Sequence, residues 1–349
     1  MLDDLLIERL LRVIDEGRRT ATYKLALLSA LIDAVALTSG SSEISTRLLA
    51  ERVLALYYPQ TRDYVANDGI VHELRQISMK SSPVLRNVLR LRLAGDVAKC
   101  RSVDDTKNRI PKVYDEVLDA VEAAFVRYPI PLLQVVGTTV VPFLYAVDWP
   151  EGTPVAALRR QGRDYIRLLS DVADRLVVLG PMLRPLIELH WSRDVARWTG
   201  VGLEDEALQA HLFGSERVSF PLPLVSALRE LQHGHCFYCD DPLPGRGHVD
   251  HFLAWSRWPN DAIENLVLAD RCNLAKSDHL VVGDHVARWR SRTATGADVL
   301  RSTADAAGWR SDLDRTIALV RSTYGHIARG TPLWRHGADF EIASGPILV

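Results

Sequence analysis

Apolar residues recur at three- and four-residue intervals through the first 130 positions. Leu2, Leu5, Leu6, Leu10, Val13 and Ile14 fall on that spacing and predict an opening helix. The stretch "TYKLALLSALIDAVAL" predicts a second helix, apolar nearly all round and therefore buried. "STRLLAERVLALYY" predicts a third, with Ser45 or Thr46 as its cap and Pro59 as its stop. "YDEVLDAVEAAFVRY" predicts another, ended by Pro129. The pattern then changes. Residues 132–147, "LLQVVGTTVVPFLYAV", are rich in Val and Thr and split by Gly137, which predicts two short strands or a hairpin. Helical spacing resumes in "TPVAALRRQGRDYIRLLSDVADRLVVL" and "PLIELHWSRDVARW". A short strand is expected at "RVSF" and a helix at "LVSALREL". Beyond residue 284 helices return, followed by an irregular tail holding Trp334 and Pro346. The fold class expected is α+β, mostly helical.

A chain of 349 residues is long enough for two domains. Gly, Ser and proline cluster near 214–230, which divides the chain into a helical region, 1–225, and a C-terminal domain, 226–349. The net charge of −2 gives no global basic character, so any nucleic-acid surface must be local. The most apolar early stretch is interrupted by Lys24 and Asp33 and is too short for a clean membrane span. The N-terminus begins acidic, unlike a secretory signal. Four cysteines make no disulfide scaffold, and three of them fall in one short region, which points to metal. A cytoplasmic location is expected.

Residues 232–280 read "QHGHCFYCDDPLPGRGHVDHFLAWSRWPNDAIENLVLADRCNLAKSDHL". Cys236 and Cys239 have the C-x-x-C spacing with which two thiolates grip a tetrahedral metal. Asp250 and His251 are adjacent in an apolar run, so on a strand their side chains point to opposite faces. Asn265 follows in "ENLVLA", and Cys272, Asn273 and Lys276 in "CNLAK".

The ordered set resembles the HNH endonuclease family, whose domain is the ββα-metal fold. The resemblance covers residues of about 232–285, and the rest of the chain carries no comparable motif. It implies His251 as the general base that takes a proton from the attacking water, a task suited to a group with an unperturbed pKa of about 6.5. It implies Asp250 and Asn273 as oxygen ligands of a catalytic Mg²⁺ or Mn²⁺. Asn265 is expected to brace the loop that holds His251, and Lys276 to touch a phosphate oxygen. Many members carry a second C-x-x-C. Here Ala269 stands where its first cysteine would be, and the segment from Asn265 to Asn273 is one residue short. Cys236, Cys239 and Cys272 could hold a structural Zn²⁺ with Asp270, a nearby histidine or water as fourth ligand, or could pack as metal-free thiols. Cys100 is expected to be a buried free thiol.

The activity implied is hydrolysis of DNA phosphodiester bonds to a 5′-phosphate and a 3′-hydroxyl, in a setting such as bacterial restriction or anti-phage defence. One such site cuts one strand, so a double-strand break requires a homodimer or two events. An activator or a defence-system partner is a further expectation. The alternatives are a nuclease for RNA or structured nucleic acid, a nucleic-acid-binding module on an HNH scaffold, and a zinc-stabilised protein-interaction domain. For backbone contacts the candidates lie in the basic run between Arg75 and Lys112, above all Arg86, Arg90, Lys99 and Arg101.

Overall fold

The computed structural model describes residues 2–15, 19–38, 41–66, 69–78, 82–100, 102–136, 139–201, 206–213 and 220–349. The protein is α+β and mostly helical, with small antiparallel sheets. It divides into two compact units, Met1–Leu176 with Met182–Glu216, and Arg217–Val349 with Val177–Pro181.

The first unit opens with α1 (Leu2–Ile14), α2 (Tyr23–Leu37), β1 (Glu43–Ser45) and α3 (Thr46–Tyr57). Helix α2 has buried residues on every side, as its apolar circumference dictates. Ser45 caps α3, its hydroxyl accepting from the Leu48 amide at 3.1 Å. A short hairpin, β2 (Tyr64–Val65) and β3 (Val71–His72), precedes α4 (Pro83–Val97), α5 (Val103–Arg109) and α6 (Pro111–Arg127). Helix α6 packs on α3 and α4 and buries Val117, Val121 and Phe125. The short α7 (Pro129–Leu132) leads to the expected hairpin, β4 (Val135–Val136) with β5 (Thr139–Val140). Gly137 itself lies outside the described residues. Then come β6 (Tyr145–Ala146), α8 (Val155–Gln161), β7 (Tyr165–Leu168), α9 (Val172–Thr199) and α10 (Glu206–Phe213).

One expectation fails here. Residues 153–179 do not form a single helix. Gly162 ends α8 in the left-handed region (φ +61°), a conformation that costs glycine little. "YIRL" then pairs with β1 on one side and β6 on the other, completing a three-stranded sheet. The β-branched and aromatic residues of that segment suit a pleated surface better than a helix.

The second unit begins with α11 (Leu222–Leu231), at "LVSALREL" as expected. Residues 217–219 of "RVSF" lie outside the described residues, and Phe220 is not in a strand. A cysteine-bearing turn leads into β8 (His248–His251), β9 (Leu266–Ala269) and α12 (Arg271–Lys276), a ββα unit. Two longer helices follow, α13 (Gly283–Ala307) and α14 (Leu313–Gly325). The tail is not irregular, because β10 (Pro332–His336) and β11 (Asp339–Ile342) form an antiparallel hairpin. Trp334 on β10 is fully buried and lies edge-on to Tyr238, with ring centroids 5.3 Å apart. Phe252 stacks on Trp289 at 5.2 Å, so aromatic residues from distant segments share one core.

Candidate active site

Strand β8 carries Asp250 and His251 and runs antiparallel to β9, with Asp250 opposite Val267 and His251 opposite Leu266. Period-two alternation separates the two side chains as expected. Asp250 turns toward α12. It is 7% exposed, accepts from the Tyr238 hydroxyl at 2.6 Å, and lies 3.2 Å from the Lys276 ammonium. His251 turns the other way and remains half-buried. Its Nε2 lies 2.7 Å from Asp261 Oδ1, and its ring neighbours Trp255 and Phe220.

That contact fixes the imidazole chemistry. An ionised carboxylate can only accept, so Nε2 carries a proton, and in the neutral ring Nδ1 is then the nitrogen with a lone pair. Asp261 is placed by its own backbone. The Trp309 indole donates to the Asp261 carbonyl at 2.7 Å, and the Ile263 amide donates to the Arg310 carbonyl at 3.0 Å. The sequence reading missed Asp261. Its one signal is a carboxylate in the turn "PND", ten residues after the histidine.

Asn265 is fully buried at the start of β9. Its carboxamide donates to the carbonyls of Leu253 (3.0 Å) and Asn260 (2.9 Å) and accepts from the Leu253 amide (2.9 Å). Its own carbonyl accepts from the Phe252 amide at 2.7 Å, directly after His251. The loop from 252 to 260 is therefore tied to one side chain at both ends.

Lys276 is 0% exposed and donates to the His251 carbonyl (2.9 Å) and the Ser277 carbonyl (3.3 Å) besides pairing with Asp250. This corrects the expectation of a phosphate contact, since its ammonium points inward and its donors are occupied. Burial pushes the Lys276 pKa below its ordinary value, with Asp250 opposing the shift. Asn273 stands half-exposed on the first turns of α12.

The oxygen donors expected for a catalytic divalent cation do not fit that role as they stand. A cation at Asp250 would meet the Lys276 ammonium within the same buried pocket, and like charges there repel strongly.

The thiols do fit a metal. The sulfurs of Cys236, Cys239 and Cys272 all lie within 4.8 Å of one another. Tetrahedral zinc, with Zn–S of about 2.3 Å, needs sulfurs about 3.8 Å apart. The turn is preformed by backbone bonds, Cys236 N to Asp241 O at 2.8 Å and Phe237 N to Leu268 O at 2.9 Å. Burial raises the pKa of Cys239 and Cys272, and the neighbouring thiol of Cys236 adds to both shifts. Among the described residues no other His, Cys, Asp or Glu joins the group, so Asp270 and the histidines are not its fourth member. A bound Zn²⁺ would tie the 236–239 turn to the start of α12.

Three cations of the basic run in the first unit pair with carboxylates. Arg90 pairs with Glu116 at 3.2 Å, Arg92 with Asp96 at 3.1 Å, and Lys107 with Glu51 at 3.2 Å. Arg109 donates to the carbonyl of Lys99, an exposed residue at φ +56°. Arg86 is exposed, and Arg101 lies outside the described residues. Cys100 is free and half-buried rather than buried. In "LHWSRDVARW", Trp191 is buried and Arg197 pairs with Asp194 at 2.7 Å. Among the described residues no helix is long and apolar enough to cross a membrane.

A family model described as a domain of unknown function, DUF8808, matches residues 4–212, more than half of the chain, and the protein belongs to that family. The match ends before the cysteine-bearing turn. No curated protein and no solved structure matches the chain.

Proposed function

We propose that the second unit is an HNH-type endonuclease in which His251 is the general base and Asp261 its orienting carboxylate. The observation that carries this reading is the 2.7 Å contact between His251 and Asp261 at the end of the first strand of a ββα unit. Water approaching the phosphorus gives its proton to Nδ1 of His251 as the new P–O bond forms, and the bond to the 3′-oxygen breaks with that oxygen taking a proton from solvent water. Asp261 holds the imidazole in the required tautomer and stabilises the imidazolium that results. The substrate is DNA, by the family resemblance. Zn²⁺ on the three cysteines is structural in this reading, and Mg²⁺ or Mn²⁺ at Asp250 requires Lys276 to leave the carboxylate.

The test is nicking of supercoiled plasmid by the purified chain in Mg²⁺ or Mn²⁺, with EDTA controls and an RNA substrate alongside. His251→Ala is expected to lower the rate by roughly 10²–10⁴-fold, the usual worth of a positioned base. Asp261→Asn is expected to lower kcat with little change in KM, because the amide favours the wrong tautomer. If neither nucleic acid is cut while both proteins bind it equally, the nuclease reading fails. The second reading, a nucleic-acid-binding module on this scaffold, then stands, and the closed Asp250–Lys276 pair favours it.

A further inference from the structure

The Lys276 ammonium, at the end of α12, is held by oxygens alone. Its Nζ lies 3.2 Å from Asp250 Oδ2 and 3.4 Å from Asp250 Oδ1. It donates to the His251 carbonyl at 2.9 Å and to the Ser277 carbonyl at 3.3 Å. An ammonium has three donors, and the carboxylate and two carbonyls meet all three. Carboxylate and carbonyl oxygens are also the ligands that hard cations select. Here the cation is the chain's own.

The backbone is bent to complete this cage. Ser277 holds φ +49° and ψ −124°, a conformation that L side chains rarely adopt. The Ser277 carbonyl accepts from the ammonium of the residue before it. Two bonds pin the turn. The Ser277 amide donates to the Asn273 carbonyl at 3.1 Å, and the Arg257 guanidinium donates to the Asp278 carbonyl at 3.0 Å. Strain of this kind persists only where the surroundings over-determine it. The cage also joins the two residues of β8 on which the site depends. Asp250 is the carboxylate that the family resemblance assigns to a divalent ion, and the His251 carbonyl belongs to the residue that carries the imidazole. With Lys276 0% exposed and Asp250 7% exposed, an ion reaching the carboxylate must displace the ammonium.

We infer that in the free chain Lys276 is a tethered cation that fills this cage and shuts divalent ions out of it, an autoinhibitory contact within the site. The inhibitory role rests on the nuclease reading. Ion binding is measured without nucleic acid, so the two fail separately. Loss of the nuclease reading leaves the ion measurement as it stands, and a failed ion measurement leaves His251 and Asp261 in place.

The experiment is a Mn²⁺ titration of the full chain, with one equivalent of Zn²⁺ present throughout to fill the cysteines. Binding is followed by loss of the free-ion paramagnetic resonance signal and by melting temperature. The parent is expected to take up no Mn²⁺ below the millimolar range and to melt at the same temperature with and without it. Lys276→Gln and Lys276→Ser remove the charge and leave Asp250 and both carbonyls. Each is expected to bind Mn²⁺ at least tenfold tighter than the parent and to melt higher in its presence. Adding Asp250→Asn to either variant should abolish that binding. A variant that loses its near-ultraviolet circular dichroism without ions and regains it with Mn²⁺ gives the same result. The inference is overturned if the parent binds as tightly as the variants, if a folded variant binds no tighter than the parent, or if binding survives Asp250→Asn. If neither variant folds with or without Mn²⁺, the parent decides: uptake below the millimolar range overturns the inference, and its absence upholds it.

Discussion

Two buried carboxamides, one in each unit, show opposite uses of the same group. Asn265 satisfies both of its amide donors and its oxygen within the loop it holds. Gln60 satisfies its oxygen, while its amide nitrogen is buried without a partner. A closed network of this sort fixes a conformation, whereas an open one leaves the fold carrying the cost of an unmet donor. Each unit also holds a buried or partly buried carboxyl, and the two differ in their partners. In the second unit the buried Asp250 meets a lysine and a tyrosine. In the first, burial pushes Glu188 up to about 7, and Arg184 only partly opposes the shift.

The largest effect should come from breaking the closed pair. Lys276→Met leaves Asp250 buried without its cation, and denaturant unfolding should show a loss of about 3–5 kcal/mol. A loss below about 1 kcal/mol would mean that the carboxylate is hydrated or protonated rather than paired. Asn265→Ala orphans two carbonyls and an amide of the 252–260 loop and should cost roughly 2–4 kcal/mol. Amide exchange in that loop should rise with it, while exchange in α2 should not.

The smallest effect sharpens the contrast through pH. Glu188 has a folded-state pKa raised from 4.5 to about 7, so the folded chain keeps a proton that the unfolded chain has released. Its stabilising contribution is complete below pH 4.5 and disappears as pH rises through 7. Linkage puts the change between pH 5 and pH 8 on the order of 2–3 kcal/mol. Unfolding of Glu188→Gln at pH 5 and pH 8 should show that part of the slope removed.

Much of this was legible because it is local. The cap at Ser45, the buried circumference of α2 and the opposed directions of Asp250 and His251 all follow from spacing within a few residues. What escaped depends on distant partners. The strand at 165–168 exists because β1 lies beside it, although it is more than a hundred residues away in sequence. The hairpin at 332–342 does carry a glycine turn at Gly337 between alternating residues, a signal passed over as an irregular tail. Asp261 looks like an ordinary turn carboxylate until Trp309 holds its backbone. Lys276 reads in sequence as a phosphate contact, and only the closeness of Asp250 explains why it is buried.

The tie between Trp309 and Asp261 also sets an order in time. The two residues are 48 positions apart. At about 5–20 residues per second, a ribosome adds the indole roughly 2–10 s after the carboxylate it anchors. Throughout that interval His251 and Asp261 both exist while the group that sets their angle does not. A nascent chain therefore carries His251 and Asp261 before the indole that anchors the carboxylate's backbone, and that anchor arrives only after helix α13 is complete.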